Sequence, residues 1–203
     1  MNRARIKRDL DRLAASDVDV ARAVELVGYP EPRIRNPGFE TFLSTIVSQQ
    51  ISTDAAAAIM GRVRALLPEM HAGELLGLPA NALREAGLSQ RKVEYATDLA
   101  RAIHSGDFKP DDLADMDDAD AIAAICNLRG FGAWSAEIYL MFCLQRADIF
   151  PAGDLALRIA LQRLKGVDET LDEKQARALV ESWSPCRSAG SLLLWHYYRG
   201  APT

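Results

Sequence analysis

N-L-R-G-F-G-A-W-S-A-E-I-Y-L-M-F-C-L-Q-R-A-D-I-F-P-A-G-D-L-A-L-R, residues 127–158, carries the densest pattern of glycines, apolar residues and a lone acid in the chain. Gly130 and Gly132 stand one residue apart, just before a strongly apolar run. Glycines at that spacing let the backbone approach a partner closely, and the free N–H groups that open a helix favour an anion. A phosphate is the obvious candidate. The run that follows, 133–146, is apolar almost all round (Ile138, Leu140, Met141, Phe142, Leu144) and reads as the central buried helix. The Pro-Ala-Gly turn at 151–153 then delivers a single carboxylate, Asp154, at the start of another helix. The stretch therefore pairs a phosphate cradle with a lone acid held at a fixed distance from it.

Outward from this stretch, helix signals recur along the whole chain. Residues 3–14 form a basic helix carrying Arg3, Arg5, Lys7, Arg8 and Arg12, which reads as a solvated face or as a DNA-contacting patch. Asp17 caps a helix that Gly28 and Pro30 end. P-E-P-R-I-R-N-P-G (30–38) is an extended linker between two lobes. An apolar helix over 39–49 runs into Q-Q-I-S-T, where Ser52 or Thr53 caps the next helix, 54–67. Gln49 and Gln50 are either a plain interhelical turn or side chains that reach bases. A short helix over 78–86 precedes one that Ser89 caps and Gly106 stops. Arg91 and Lys92 lie in the first turn of that helix, where the dipole disfavours cations, which hints at an anionic partner. The acidic run 111–120 leads into a helix over 118–126, and further helices are expected over 154–164, 171–183 and 186–199. With no convincing strand and no repeat, this is an all-α chain of about ten helices.

Composition narrows the function. The chain has 203 residues, 49% apolar and 26% charged, which suits one globular module. A net charge of −4 and a pI near 5.4 argue against a non-specific nucleic-acid coat but leave room for a local basic face. Three cysteines (Cys126, Cys143, Cys186) at wide spacing read as buried thiols in a reducing compartment, and they are too few to ligate an iron–sulfur cluster. The three histidines, His71, His104 and His196, are too scattered for a metal site. The basic N-terminus has no apolar region behind it, so it does not read as a signal peptide, and no run approaches the ~18 apolar residues of a membrane span. The expected location is cytoplasmic, on the nucleoid if the source is bacterial.

L-R-G-F-G-A-W-S-A (128–136) resembles the helix-hairpin-helix signature of DNA-binding proteins. With P-A-G-D (151–154) behind it, the chain resembles the helix-hairpin-helix/Gly-Pro-Asp superfamily of DNA glycosylases, and within it the alkyladenine branch, the DNA-3-methyladenine glycosylase II type. I-V-S-Q-Q-I-S (46–52), the Ser89, Lys92 and Tyr95 pattern, and W-S-P-C-R-S with L-L-L-W (183–195) carry the same resemblance, which covers about residues 17–199. It implies a two-lobed helical fold with the active-site cleft between the lobes. One lobe would comprise 1–35 with 150–203, and the other 36–149, which holds the hairpin 127–133.

The resemblance also implies roles. Gly130 and Gly132 would present N–H groups to a DNA phosphate. A structural Na+ or K+, held by the carbonyls of Cys126, Leu128 and Phe131, would bridge to it, and no other cofactor is implied. Gln50 would fill the hole left by an extruded base, and Gln49 would lie beside the base pocket. Trp134 and Trp195 would offer aromatic faces to a cationic base, attractive by about 0.5–2 kcal/mol; read without the resemblance, each is equally a core residue. Asp154 would be catalytic, its bland alternative being a helix N-cap. Bifunctional members place a lysine where this chain has Trp134, so hydrolysis without strand cleavage is implied. The chain also resembles the minimal form, without the extra N-terminal domain of some members. The implied partner is double-stranded DNA containing damaged bases, bound by a monomer and away from any membrane. A glycosylase for deaminated or uracil-type bases, or a non-catalytic hairpin module, are the alternatives.

Overall fold

The computed structural model describes residues 1–201. Among these there are twelve α-helices and no strand: α1 Arg3–Ser16, α2 Val18–Val27, α3 Phe39–Ser48, α4 Thr53–Leu66, α5 Ala72–Leu76, α6 Ala82–Glu85, α7 Gln90–Ser105, α8 Asp118–Cys126, α9 Ala133–Phe142, α10 Leu155–Lys165, α11 Glu173–Leu179 and α12 Arg187–Gly200. The boundaries follow local chemistry. The side chains of Asn2, Asp17, Ser52, Ser89, Asp117, Asp154 and Asp172 each accept a backbone N–H at the start of a helix, and Gly106 and Gly166 end α7 and α10 in the left-handed conformation. The short helix α5 had no counterpart in the sequence reading, because its cap is His71, whose Nδ1 accepts from Glu74 N–H at 3.0 Å. Histidine is not among the usual capping residues.

The chain divides into two compact units. The first comprises Met1–Ile34 with Glu137 onward, the second Arg35–Ala136. The return to the first unit therefore falls within α9 rather than at residue 150. Three contacts tie this part of the chain to the first unit. Glu137 pairs with Arg177, Phe142 packs against Trp195 with ring centroids 5.7 Å apart, and the Ser188 hydroxyl donates to the Arg146 carbonyl at 2.8 Å.

In the first unit α12 packs against α1, α2 and α10. It buries eight consecutive residues, Ser188 to Trp195, where the sequence reading gave the central place to α9. Small residues make this burial feasible. A Cβ added at Gly190 would lie 2.6 Å from Trp183 Cζ3, so the ring rests on the helix backbone. In the second unit α7 packs on α3, α5 and α6. Phe42 of α3 meets Phe108 and Phe131 edge to face at 5.3 and 5.5 Å.

The basic helix α1 is an ion-paired surface. Arg3 pairs with Glu31 at 2.6 Å, Lys7 with Asp11 at 2.7 Å, and Arg5 and Arg8 flank Asp9 at 3.5 and 3.0 Å. The solvated-face reading accounts for these four cations. Of the cysteines, Cys186 is buried, while Cys126 and Cys143 are half-buried free thiols.

Asp17 joins three elements of the first unit. It caps α2, takes Lys165 Nζ of α10 at 2.8 and 2.6 Å, and takes Trp183 Nε1 at 2.7 Å. Burial alone would raise its carboxyl, but the hydrogen bonds from Lys165 and Trp183 outweigh burial and hold it below the ordinary carboxylate range. A carboxyl depressed on folding contributes stability above its unfolded value and loses it as pH falls through the folded value. Asp17→Asn is expected to cost about 2 kcal/mol at neutral pH, as a charged hydrogen-bond acceptor is lost. The difference from wild type should begin to shrink as pH falls below about 4 and disappear only once pH has passed the depressed folded value. Urea unfolding at several pH values, followed by tryptophan fluorescence, checks both.

Candidate functional site

In the second unit the hairpin between α8 and α9 is clamped from two sides. Gly130 has φ +93°, and an added Cβ would fall 2.7 Å from Cγ of Tyr95. The close approach required of this glycine is thus to the Tyr95 ring on α7. Gln49, at the end of α3, donates from Nε2 to the Gly130 carbonyl at 2.8 Å. Arg129 pairs with Asp98 at 3.2 Å and Glu94 at 3.0 Å on α7, and its guanidinium lies 5.5 Å from the Tyr95 ring. Gly132 opens α9: its N–H is accepted by Ser135 Oγ at 3.0 Å, and a Cβ there would meet nothing within 4 Å. The Leu128 carbonyl, one of the three expected to hold a cation, accepts the Phe131 N–H at 3.1 Å and keeps a second lone pair.

A cavity of about 180 Å³ lies beside the hairpin, lined by Gln49, Gln50, Ser89, Arg91, Lys92, Tyr95 and Gly130. Gln50 is exposed and sits at φ +57°, a left-handed conformation that costs a non-glycine residue about 1 kcal/mol or more. Strained backbone that presents an exposed side chain at a turn is a feature of functional sites. Lys92, read as a sign of an anionic partner, donates Nζ to the Val47 carbonyl at 2.7 Å. Its partner is the carbonyl end of α3, and burial pushes its ammonium below the ordinary lysine range.

In the first unit the chain from Arg146 to Asp154 is anchored at nearly every step. Asp148 takes Arg187 in a two-pronged pair, Nε and Nη2 each at 2.7 Å, plus the Ser184 hydroxyl at 2.8 Å. Ile149 N–H donates to Ser188 Oγ at 3.0 Å. The Phe150 carbonyl accepts from Ala152 N–H at 2.8 Å and from Arg177 Nη1 at 2.9 Å. Asp154 N–H reaches the Pro151 carbonyl at 2.9 Å, and Asp154 Oδ1 accepts the Leu157 N–H at 3.0 Å. Asp154 is therefore the N-cap of α10, which sets its rotamer. The cap and catalytic readings are compatible, since one oxygen suffices for the cap.

The two tryptophans differ. Trp134, in the first turn of α9, is 45% exposed, an unusual position for an indole that only packs a core. Trp195 is 9% exposed, tilted at 41° to Phe142, with the Arg33 guanidinium 5.6 Å from its ring centroid. A cation already lies over that ring. Arg33 and the Glu137–Arg177 pair escaped the sequence reading. Glu137 carried a signal, as the one charged residue in A-W-S-A-E-I-Y-L-M-F. Among the described residues no group of three or more His, Cys, Asp or Glu is arranged to hold a metal, and no helix is long and apolar enough to cross a membrane.

Comparison with known proteins bears on this arrangement. Residues 43–186 match the HhH-GPD superfamily base excision DNA repair protein family. A putative DNA-3-methyladenine glycosylase of Bacillus subtilis, YfjP, is 34% identical over 113 residues, which is 56% of this chain. The match spans only 39% of that longer protein. The crystal structure of a DNA-3-methyladenine glycosidase from Bacillus halodurans superposes with a TM-score of 0.85 at 29% identity, covering 94% of this chain and 89% of that one. The 3-methyladenine DNA glycosylase Mag1 of Schizosaccharomyces pombe, solved with abasic DNA, superposes with a TM-score of 0.82 at 25% identity, covering 93% and 95%.

Proposed function

The chain belongs to the HhH-GPD superfamily of base excision DNA repair proteins, and on that premise we propose that it is a monofunctional DNA glycosylase that releases alkylated purines of the 3-methyladenine type from duplex DNA. The observation that carries this reading is the anchored carboxylate of Asp154, which follows in sequence a glycine hairpin whose helix begins with Trp134 rather than lysine. The names of the relatives support the substrate class.

The chemistry follows from the residues. An alkylated purine is cationic, so when the N-glycosidic bond breaks the bonding pair leaves with a base that becomes neutral. The sugar is left as an oxocarbenium-like cation. The Asp154 carboxylate stabilises that charge and orients the water whose oxygen bonds to the sugar carbon, the water's proton passing to solvent. The products are a free base and an abasic site. Trp134, exposed, and Trp195, buried, are the aromatic residues assigned to the cationic base, Gln49 is the polar pocket residue, and exposed Gln50 is the wedge that offsets the few kcal/mol of unstacking. The hairpin backbone at Gly130 and Gly132 grips a phosphate, the Gly132 N–H turning to it from Ser135 Oγ, and this neutral grip reconciles DNA binding with an acidic chain. The carbonyls of Cys126, Leu128 and Phe131 would hold a monovalent cation, which would supply positive charge for that phosphate. The protein acts as a monomer on DNA.

Release of bases from methylated genomic DNA, identified by mass, tests the assignment. 3-Methyladenine is expected to dominate. Release of only uracil or deaminated bases from defined-lesion duplexes would redirect it, and no release from any lesion would leave a binding module. With Trp134 at the position where a lysine would form the Schiff base, borohydride should trap no covalent protein–DNA adduct, and gels should show no strand cleavage.

A further inference from the structure

Glu137 is 4% exposed on α9, three residues after Trp134. Its Oε1 accepts Arg177 Nη2 at 2.7 Å, while its Oε2 is buried with no hydrogen-bond partner. Arg177, on α11, uses its other terminal nitrogen, Nη1, on the Phe150 carbonyl at 2.9 Å. That carbonyl also starts the turn that ends at Asp154, through Ala152 N–H to Phe150 at 2.8 Å and Asp154 N–H to Pro151 at 2.9 Å. One unbroken chain of hydrogen bonds thus runs from the helix that carries Trp134 to the backbone of Asp154.

Such a pair is a poor device for stability alone. Burial pushes the Glu137 carboxyl above the ordinary range, and Arg177 only partly offsets it, with Glu173 nearby adding to the rise. A buried ion pair commonly gains less from attraction than it loses in desolvation, and an apolar pair of the same size often does as well. What the apolar pair cannot do is fix a carbonyl oxygen at a set distance from a helix. The planar guanidinium does this, because its two terminal nitrogens point in fixed, different directions.

We propose that Glu137 and Arg177 are positioning residues for Asp154, with the guanidinium as a strut that sets the Phe150–Asp154 turn against α9. The proposal rests on the reading of Asp154 as catalytic. The geometric part stands apart from activity and is tested separately.

Arg177→Lys keeps the charge but cannot bridge both acceptors, and Arg177 is partly exposed, so the fold should persist. In this variant the amides of Ala152, Asp154 and Leu157 are expected to exchange with deuterium about tenfold faster, with those of α12 unchanged. Single-turnover base release from a duplex carrying methylated purines should slow by about tenfold or more, because small misplacements of a catalytic group are costly. Affinity for the same duplex should be unchanged. In an Asp154→Asn background Arg177→Lys should cause no further loss of rate. Replacing both residues, Glu137→Met with Arg177→Met, should give the same loss of rate without lowering the unfolding temperature. Unchanged exchange at the turn, or an equal loss of rate in the Asp154→Asn background, would overturn the proposal. A wild-type protein that releases no base counts against the glycosylase reading, and the exchange result then decides the strut by itself.

Discussion

Asp154→Asn is expected to slow base release by about 10²–10⁴-fold, the range for removing a positioned carboxylate or a preorganised charge from a reaction centre. The substitution is nearly isosteric. Asparagine is as good an N-cap as aspartate, so the bond from Leu157 N–H should survive and α10 should start where it does now. The Asp154 backbone N–H still reaches the Pro151 carbonyl. The unfolding temperature should therefore stay within a degree or two of wild type, and affinity for damaged or abasic duplex should be unaltered or somewhat tighter. Single-turnover kinetics, thermal melts and fluorescence anisotropy on labelled duplex together measure these quantities. A protein in which Asp154 were only a cap would release base at the wild-type rate after this change.

Gly130→Ala is expected to be among the most destabilising methyl additions in the second unit, at about 2 to 5 kcal/mol. Two costs add. Positive φ costs a residue with a side chain about 1–2 kcal/mol, and forcing a methyl into a packed contact costs about 1–3 kcal/mol. Here the methyl would sit 2.7 Å from Tyr95 Cγ, so the half-buried ring would have to shift. The Arg129 guanidinium covers its ring 5.5 Å from the centroid. Truncating the ring should remove the clash but not the backbone strain. Tyr95→Ala with Gly130→Ala should therefore cost less than the two singles summed, by about 1–3 kcal/mol of coupling. Urea unfolding of the four proteins closes this cycle. Additive losses would mean that the ring moves aside freely and that only the positive φ requires glycine. Gly132→Ala is the internal contrast, since a methyl there meets open space.

Much of the helical layout was legible because its signals are local. Ser52, Ser89, Asp117 and Asp172 cap through their own hydroxyls or carboxylates, and glycines stop helices by adopting φ values that other residues resist. What escaped the reading depends on partners far along the chain. α12 looked less buried than α9 because hydropathy undervalues Gly190, Ser188 and Ser191, which are buried for being small enough to let Trp183 and the Ile149 segment approach. Lys92 looked like an anion ligand because nothing local reveals that the Val47 carbonyl, from another helix, lies 2.7 Å from its ammonium. Gly130 read as backbone bared for a phosphate, whereas in the folded chain the neighbour that tolerates no side chain there is Tyr95.

Residue order alone establishes that the chain is helical, where most helices start and stop, and which family its hairpin and Asp154 resemble. These follow from residue-local conformational preferences and from motif spacing, which do not depend on the rest of the fold. Which cations bind internal partners, whether Trp134 or Trp195 is exposed and what holds the turn before Asp154 are settled by packing. Those outcomes depend on distances between residues tens of positions apart, as with Glu137, Arg177 and Phe150. A guanidinium can orient a turn only where packing has already brought both of its acceptors within hydrogen-bond reach.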